Sequence, residues 1–537
     1  MKKSPLALVA IAITATAMTA TACSGSADTG ASGTGDGDVV IDGTLNFAIN
    51  EDPGNLFRHV NTSATLSYVY PWAYESLVYY DESGEAKSWL AESWKETPTS
   101  LTFTIREGVT CEDGTDLTAE TVANNFRWIV DPANSSSMAG LVVPSDTSVE
   151  HDNETHTVTL TTESPNSFLL ASLGVHPIYC QAALDDPDSV AGATNGTGLF
   201  QLTEAVPNDH YTFTRNEEYD WAPEGGNDAQ TPGVPNEVVI SVVENPTTRA
   251  NLLLSGELQM ADVQGPDEER VASQADALIT AQLNTGGFAY SQAEGKPTTD
   301  EAVRVALTKA LDLDTLMRVQ TADQGSRATA LAVYPPAICR YDAATTNLPT
   351  TDVAGAEQML DDAGWTVGSD GVRTKDGERL SLKLTYHTRW PETASTTELI
   401  KEQWEAVGAE VELEGSGYDA FSETVFAEGA SSNFDAVWLA SNYYVPNVLS
   451  AFVAGPTPPD GNNMAALSNP DYDALVEEAS NFTGQEACDV WEQAEAEMYS
   501  SADYVPFATR PSVTYSRGVQ ATIPENLIAP AFLLVQP

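Results

Sequence analysis

The sequence predicts a mixed α/β fold, and two recurring patterns support this prediction. Short runs in which apolar and polar residues alternate, typical of half-buried strands, occur for example at 101–106 and 380–384. Between such runs, apolar residues recur every three or four positions, as at 303–311, which is typical of amphipathic helices. Strands that alternate with helices indicate a sheet with helical crossovers. Hydrophobic residues make up 42% of the chain, enough for globular domains.

In the first half, further strands are predicted at 156–162, 211–215 and 237–243 from the same alternation. A helix is predicted to begin after Thr118, because a threonine can cap the first turn and Glu120 favours the positive helix end. The pair Asp131-Pro132 is predicted to end this helix, since proline disfavours helical backbone in the residue before it.

In the second half, Asp300 is predicted to open one helix, and 352–363 is predicted as another that Gly364 ends. A helix around 399–407 follows a strand at 380–387, and strands are predicted at 409–414 and 434–440. Residues 471–501 are predicted as one long helix. The tail from 505 to 537 is apolar and predicted to be extended.

The first 22 residues have the layout of a secretory signal. Lys2 and Lys3 provide positive charge, and residues 5–20 form an uncharged apolar run that is too short for an ordinary membrane-spanning helix. The segment ATAC at 20–23 resembles a bacterial lipobox, although Ala20 stands where a larger aliphatic residue is usual. We expect a lipidated Cys23 that anchors an exported protein to the outer face of the cell membrane. The alternative is an ordinary signal peptidase site beside an incidental cysteine.

Residues 23–41 are predicted to form a flexible tether, because they are small and polar with few large apolar side chains. The chain carries 78 acidic and 24 basic residues, a net charge of −54. This charge argues against nucleic acid partners, which are bound through Lys and Arg. It indicates either a solvated acidic surface or a preference for cationic ligands.

Four cysteines remain after Cys23: Cys111, Cys180, Cys339 and Cys488. An even number in an exported chain predicts two disulfides, for which three pairings exist. A metal site is disfavoured, because the cysteines lack metal-ligand spacing and no histidine lies near any of them.

Several short segments, in order along the chain, carry a family resemblance. They are SWLAESW (88–94), FTIREGV (103–109), EDGTDLTAETV (112–122), GTGLF (196–200), RNEEY (215–219), VRVAL (303–307), ALD (310–312) and AGW (363–365). Together they resemble the extracellular solute-binding protein family five, the oligopeptide, dipeptide and nickel-binding type. The resemblance covers nearly all of the chain after the tether.

This resemblance implies a two-lobed fold of the large periplasmic-binding-protein class. The first lobe would take 42–285, with an extra subdomain at about 77–190, and would be completed by 500–537. The second lobe would take 286–499, and 288–291 would be a hinge strand. We expect the pairings Cys111–Cys180 and Cys339–Cys488, because each then stays within one lobe.

The implied function is that of a monomeric substrate-binding lipoprotein that closes on a ligand and delivers it to the permease and ATPase of an ABC importer. Oligopeptides are the expected ligand, and an oligosaccharide or a metal chelate is the alternative. No cofactor is expected. The protein is predicted not to be an enzyme, because the sequence lacks a G-x-S-x-G elbow, an H-E-x-x-H pair and a P-loop. A secreted hydrolase is the remote alternative.

Peptide-binding relatives are expected to hold the peptide amine with an acid where strand 434–440 ends, yet residues 436–459 contain no Asp or Glu. Ser441 or Asn442 takes that place, and Glu51 is a candidate replacement. The predicted ligand-binding residues are Glu51, Asn55, Tyr386, His387, Arg389, Trp390, Trp438, Ser441, Asn442, Tyr443 and Tyr444. The tyrosines and Trp438 would provide flat contact, and Arg389 would bind a carboxylate. Core packing of the aromatic residues and solvent exposure of the others remain the alternatives.

Overall fold

A ten-stranded mixed sheet organises the fold. The computed structural model describes residues 38–81, 83–523 and 528–536, so the predicted signal segment and Cys23 lie outside the described residues. The strands are β1 (Thr44–Ile49), β2 (Val78–Tyr80), β3 (Ala86–Ser88), β4 (Ala91–Thr97), β5 (Ser100–Ile105), β6 (Ser148–Asp152), β7 (Thr157–Thr161), β8 (Phe200–Val206), β9 (His210–Arg215), β10 (Glu237–Val242), β11 (Met260–Asp262), β12 (Asp276–Tyr290), β13 (Thr366–Val367), β14 (Arg373–Lys375), β15 (Glu378–Arg379), β16 (Ser381–His387), β17 (Glu410–Ser416), β18 (Ala436–Trp438), β19 (Tyr504–Ser516), β20 (Val519–Ala521) and β21 (Phe532–Leu534).

Helices fill the connections between these strands. The α-helices are α1 (Ala119–Val130), α2 (Leu169–Leu173), α3 (Gln181–Asp185), α4 (Pro246–Ser255), α5 (Glu268–Ala272), α6 (Glu301–Lys309), α7 (Leu313–Gln320), α8 (Ala343–Asn347), α9 (Val353–Asp362), α10 (Glu392–Ala406), α11 (Tyr418–Val425), α12 (Pro446–Val453), α13 (Pro470–Ala479) and α14 (Gly484–Ser500). Short 3₁₀ turns lie at Thr65–Tyr68, Tyr70–Trp72, Pro132–Asn134, Pro187–Val190, Pro297–Thr299, Ala430–Asn433 and Ala529–Ala531.

The predicted helix boundaries are set by side-chain caps. Thr118 Oγ1 accepts from the backbone N of Thr121 (3.2 Å) at the start of α1, and the helix ends before Asp131. Asp300 and Asp352 cap α6 and α9 in the same way. The predicted helix at 471–501 is wrong as one element, because α13 ends at Ala479 and α14 begins at Gly484.

The large sheet has the strand order β17-β16-β18-β12-β19-β11-β1-β10-β9-β8. Its two ends pack into separate hydrophobic cores. One core is built mainly from residues before β12 and after β19, and the other from residues between them. We call these two halves the first lobe and the second lobe.

Strands β12 and β19 pair antiparallel along nearly their whole length and connect the two lobes. The pairing is irregular at Asn284–Gly287, where the sheet passes from one lobe to the other. A Cβ atom on Gly287 would lie 2.8 Å from both Leu439 O and Tyr504 Oη, so only glycine allows the strands to approach this closely. The predicted hinge strand is the end of β12.

The segments GTGLF and RNEEY meet at one buried carboxylate in the first lobe. Glu75 accepts from Thr197 Oγ1 (2.8 Å), Tyr219 Oη (2.5 Å) and Trp221 Nε1 (2.9 Å). Burial raises the pKa of Glu75 to about 7 against the effect of these hydrogen bonds. Gly198 fits only because it has no side chain, since a Cβ would lie 2.5 Å from the backbone carbonyl carbon of Ala73.

Strands β4, β5, β7 and β6 form a separate antiparallel sheet covered by α1, within the range predicted for the subdomain. The structure contains the disulfides Cys111–Cys180 and Cys339–Cys488, the pairings expected from the sequence. Each closes a long loop, which stabilises the protein by about 4–5 kcal/mol in the chain-entropy model.

The lobes also meet away from β12 and β19. Ser167 Oγ donates to Ala479 O (2.7 Å), and the rings of Phe168 and Trp491 lie 6.3 Å apart. Cys339 and Cys488 are buried in the same first-lobe core. This contact joins the end of α13 and the middle of α14 to the segment before α2. No helix of the described residues is long and apolar enough to span a bilayer.

Candidate ligand-binding site

The loop after β18 is fastened to the crossing strand β12. Asn442 Oδ1 accepts from the backbone N of Asn284 (2.6 Å), and Asn442 Nδ2 donates to Asn284 O (3.2 Å). Asn284 Nδ2 donates to the backbone O of Ser441 (3.2 Å) and of Leu331 (3.1 Å). The amide of Asn442, which the sequence places where an acid was expected, therefore holds its own loop in position.

Three tyrosines from both lobes lie close enough to Arg58 for its charge to act on their hydroxyls. Tyr70 belongs to the first lobe, whereas Tyr443 and Tyr444 follow β18. Burial raises the pKa of each hydroxyl, to about 12 for Tyr444, and the positive charge of Arg58 lowers it. Because such an effect requires proximity, these side chains share one region at the boundary between the lobes.

Arg58 is half-buried and has no carboxylate within ion-pair distance among the described residues. Its Nη1 donates to the backbone O of Asn61 (2.9 Å) and, more weakly, of Ser63 (3.4 Å). No hydrogen bond of its Nε or Nη2 is found in this part of the chain. A guanidinium with unused donors beside aromatic rings is suited to a carboxylate.

A neutral histidine pair supports the segment that carries Arg58. Asn125 Oδ1 accepts from Tyr179 N (2.8 Å), so it also accepts from His59 Nε2 (3.2 Å). His59 Nδ1 then accepts from His176 Nε2 (3.1 Å). Burial lowers the pKa of His59 to about 3 and that of His176 well below its usual value, so both rings are neutral.

A second arginine lies at the exit of β16. The Arg389 guanidinium is 5.5 Å from the ring centre of Tyr418 and 6.0 Å from that of Trp390, within the range of cation–π contacts. The ring of His387 is buried against Tyr418 (5.5 Å), and burial lowers its pKa to about 4. Tyr418 also contributes to the raised pKa of Tyr443, so the loop after β18 lies near the start of α11, which Arg389 contacts.

Other predicted residues have structural roles. Trp438 is buried in the second-lobe core, where its ring meets Phe507 edge-on at 5.6 Å. This is the core packing that was the alternative to ligand contact. Tyr386 packs over Gly415. In the first lobe, Glu51 is exposed and accepts from Thr65 Oγ1 (2.7 Å), and Asn55 Oδ1 accepts from Phe57 N (2.8 Å).

A loop without a sequence motif also reaches this region. Tyr334 lies close enough to Tyr70 for the Tyr70 hydroxyl to add to the effect of burial, which raises the pKa of Tyr334. Tyr334 lies in the loop between Leu331 and Tyr341. The buried carboxylate of Glu495 on α14 holds both ends of this loop, because it accepts from Leu331 N (2.8 Å) and Tyr341 Oη (2.5 Å). Arg58, Tyr70 and Tyr334 lie in segments without helical or strand periodicity, so no sequence pattern marks them.

Comparison with known proteins decides the family. The model of the bacterial extracellular solute-binding proteins, family 5, matches residues 85–463. The chain belongs to this family. The predicted resemblance is confirmed, and the chain is thereby a substrate-binding protein of an ABC importer.

Among related family 5 proteins is the nickel-binding periplasmic protein of Escherichia coli K12, 27% identical over 67% of this chain and 69% of that protein. The oligopeptide-binding protein OppA of Bacillus subtilis is 24% identical over 82% of each chain. A substrate-binding protein from Microbacterium hydrocarbonoxydans, solved with 4-hydroxybenzoate hydrazide, superposes with a TM-score of 0.68 at 23% identity and covers 92% of this chain and 100% of its own.

The structural match confirms the predicted fold class, a mixed α/β two-lobed binding protein. The relatives are binding proteins and work outside the cytoplasm, as family 5 proteins do. In the described residues, no group of three or more His, Cys, Asp and Glu side chains is arranged to hold a metal ion.

Proposed function

We propose that this family 5 protein captures short peptides between its lobes and delivers them to the permease of an ABC importer, which an ATPase drives. The observation that carries the proposal is the pair of arginines, Arg58 and Arg389, beside tyrosines of both lobes and without acidic partners in the described residues. The relative named as an oligopeptide-binding protein, aligned over most of both chains, supports the same ligand class.

The chemistry of this region suits a peptide. A guanidinium binds a carboxylate through two parallel hydrogen bonds, so either arginine can hold the peptide C-terminus or an acidic side chain. Tyr70, Tyr443 and Tyr444 offer flat surfaces with polar tips, which accept varied side chains. Ser441, Asn442, Tyr386, His387 and Trp390 would shape the walls of the same cleft.

A metal chelate is the second candidate, because one relative is named as nickel-binding. The described residues do not group into a protein-only metal site. A metal would therefore have to arrive with its own carboxylate-bearing chelator, which Arg58 is suited to hold. An oligosaccharide stacked on the tyrosine rings is the remaining candidate.

The lobe boundaries belong to the proposal as well: 42–285 with 500–537 for the first lobe and 286–499 for the second. The two separate cores and the irregular pairing at Asn284–Gly287 support them. Closure about β12 and β19 would hold Arg58 of the first lobe and Tyr444 after β18 on either side of the ligand. A ligand shifts this equilibrium only as far as it prefers the closed form.

We further propose that the protein acts as a monomer, anchored by a lipid on Cys23. The apolar run at 5–20 and the polar tether support the anchor. Metabolic labelling with an alkyne fatty acid tests it: the wild type should be labelled and membrane-bound, and Cys23→Ala should be unlabelled and released. Release of an unlabelled wild type would contradict the anchor without affecting the binding role.

A thermal-shift screen of the chain from Ser24 onward tests the ligand class. The panel comprises di- to hexapeptides, their N-acetylated and C-amidated forms, oligosaccharides and nickel–histidine. A ligand at a hundredfold its dissociation constant stabilises the folded state by about 2.7 kcal/mol, which is readily measured. Shifts with peptides alone support the proposal. Shifts only with sugars or chelates would replace the ligand and leave the importer role intact.

A further inference from the structure

Asp262, the last residue of β11, has a buried carboxylate oxygen with no partner. Its Oδ1 is shielded from solvent and accepts no hydrogen bond. No Lys, Arg or His of the described residues lies within ion-pair distance of this carboxylate. A buried carboxylate oxygen without a donor is unfavourable, so a missing donor is expected here.

The nearby arginine does not fill this role. Arg249 Nε donates to the backbone O of Asp262 (2.8 Å), and Nη1 donates to the backbone O of Val243 (2.6 Å) and of Glu244 (3.0 Å). The guanidinium thus covers the carbonyl ends of β10 and β11. The carboxylate of Asp262 stays available to another cation.

The strand register places Asp262 at the cleft edge of the first lobe. Strand β1 runs parallel to β10 and to β11, so Ile49, Val242 and Asp262 end at one edge of the sheet. In open α/β sheets, ligands bind in the crevice beyond the carboxyl ends of such strands.

The face of the sheet on which Asp262 lies also places it near the boundary between the lobes. Met260 pairs with Phe47 and shares its core, and Asp262, two residues on, lies on that same face. Phe47 packs on the ring of Tyr68 (5.9 Å). The pKa of Tyr68 is raised by burial, then by the charge of Asp262 and by Tyr334 of the second lobe. Tyr68 therefore lies near both Asp262 on the first-lobe sheet and Tyr334 of the second lobe.

We infer that Asp262 binds a primary ammonium group of the ligand, in place of the acid missing after β18; this inference rests on the proposed peptide-binding function. An ammonium group has only donors, and it would supply the free oxygen of Asp262 with a charge-assisted hydrogen bond while Tyr68 Oη accepts another. Glu51 is less suited, because it is exposed and already accepts from Thr65.

The ammonium and carboxylate sites then lie on different elements. Asp262 takes the amine from the first lobe, and Arg58 or Arg389 takes the carboxylate. With Arg389 as the carboxylate partner, a ligand that carries both charges engages both lobes, which favours the closed form. With Arg58 as that partner, both charged contacts lie in the first lobe, and Tyr443 and Tyr444 supply the contact from the second. Blocking the amine removes one of these contacts without affecting the other.

Calorimetry with the soluble chain from Ser24 tests the assignment with two forms of one peptide, free and N-acetylated, at about pH 7.5. The wild type should bind the free form about 10- to 100-fold more tightly. Asp262→Asn should bind both forms as weakly as the wild type binds the acetylated one. Glu51→Gln and the matched control Asp460→Asn, an exposed acid after β18, should behave as the wild type does.

A second measurement needs no variant. Burial raises the pKa of Asp262 to about 6, the charge of Arg249 lowers it, the charge of Glu268 raises it and a hydrogen bond from the Gln264 side chain to the carboxylate lowers it. Binding of an ammonium group should lower this pKa, so near pH 6 the free peptide should release protons that the acetylated peptide does not. Calorimetry in buffers of different ionisation enthalpy measures this release. The charged and titratable groups around Asp262 are Arg249 on α4, Glu268 on α5, Tyr68, and Tyr515 on β19.

The outcomes separate the two proposals. Equal affinity for both peptide forms, or full discrimination retained in Asp262→Asn, would overturn the role of Asp262 while peptide binding stands. The same holds if no extra proton is released near pH 6. Failure of both peptide forms to bind, with a response to sugars or chelates, would overturn the proposed ligand class and with it this inference.

Discussion

At the scale of single residues, Arg58 is the side chain that we expect to bind the carboxylate of the ligand. Acidic residues outnumber basic ones 78 to 24 in this chain, yet this half-buried guanidinium has no acidic neighbour within ion-pair distance among the described residues. The neutral pair His59 and His176 holds its segment without adding charge. An unpaired cation in so acidic a protein indicates a partner that arrives with the ligand.

Arg58→Gln should weaken the binding of a peptide with a free C-terminus by about 10- to 100-fold, since a hydrogen bond to a charged group is lost. Its effect on the C-amidated peptide should be small. Arg318→Gln, an exposed arginine on α7 that donates to Thr315 of its own helix, is the matched control. Calorimetry measures both variants. Unchanged affinity in Arg58→Gln would assign the carboxylate to Arg389 instead.

Glu75 provides a prediction about stability and pH. Its pKa is about 7 in the folded state and about 4.5 unfolded, so between these values the folded protein holds a proton that the unfolded chain has lost. Its contribution to the free energy of unfolding is therefore largest near pH 4.5 and falls as pH rises to 7, by about 3 kcal/mol in total. Glu495, with a pKa of about 7, contributes a slope of the same sign.

Glu75→Gln should flatten this slope between pH 5 and 7, because an amide does not titrate. The amide oxygen can still accept from Thr197 and Trp221, and the hydroxyl of Tyr219 can turn to accept from the amide. Urea unfolding at several pH values measures the slope, with the exposed Glu92→Gln as control. An unchanged slope in Glu75→Gln would assign the pH dependence to other groups.

The site was predictable from the sequence only in part, for a physical reason. Tyr443, Tyr444 and Arg389 follow strands with clear alternation, so the ends of those strands could be located and their loops assigned to the cleft. Arg58 and Asp262 were not found, because their roles depend on neighbours hundreds of residues away. The clasp between Asn442 and Asn284 likewise depends on a strand that is distant in sequence.

At the scale of elements, caps and turn residues made most helix ends predictable, since Thr118, Asp300 and Asp352 act on their own helices. The break between α13 and α14 was missed because no proline marks the stop, although the polar residues Ser480, Asn481 and Thr483 before Gly484 are typical of a turn. The strand predicted at 434–440 is shorter, at Ala436–Trp438, because its end belongs to the clasped loop.

Gly287 on β12 allows the hinge strands to meet. A methyl group in Gly287→Ala would lie 2.8 Å from Leu439 O and from Tyr504 Oη, which are hydrogen-bonded to each other (3.1 Å). The variant should lower the free energy of unfolding by about 1–3 kcal/mol, as overpacking does. Gly192→Ala, where nothing lies within 4 Å, is the control and should change stability little. Equal urea midpoints for the two variants would show that the strands can separate at low cost.

At the scale of the whole molecule, a net charge of −54 opposes compact folding through mutual repulsion. With 78 acidic and 24 basic residues, most carboxylates have no basic side chain to pair with. The disulfides and two large cores oppose this repulsion in a way that does not depend on salt.

Raising NaCl from about 10 mM to about 1 M shortens the Debye length from about 30 Å to about 3 Å and should raise the melting temperature by a few degrees. The surface ion pairs weaken over the same range, but repulsion between the excess acids should outweigh them. Potassium chloride should act equally, and sucrose of matched osmolality serves as control for effects unrelated to charge. A melting temperature that falls with salt would mean that attractive pairs dominate. In that case repulsion on the acidic surface would not be a significant cost to stability, and of the two explanations for the charge a preference for cationic ligands would gain support.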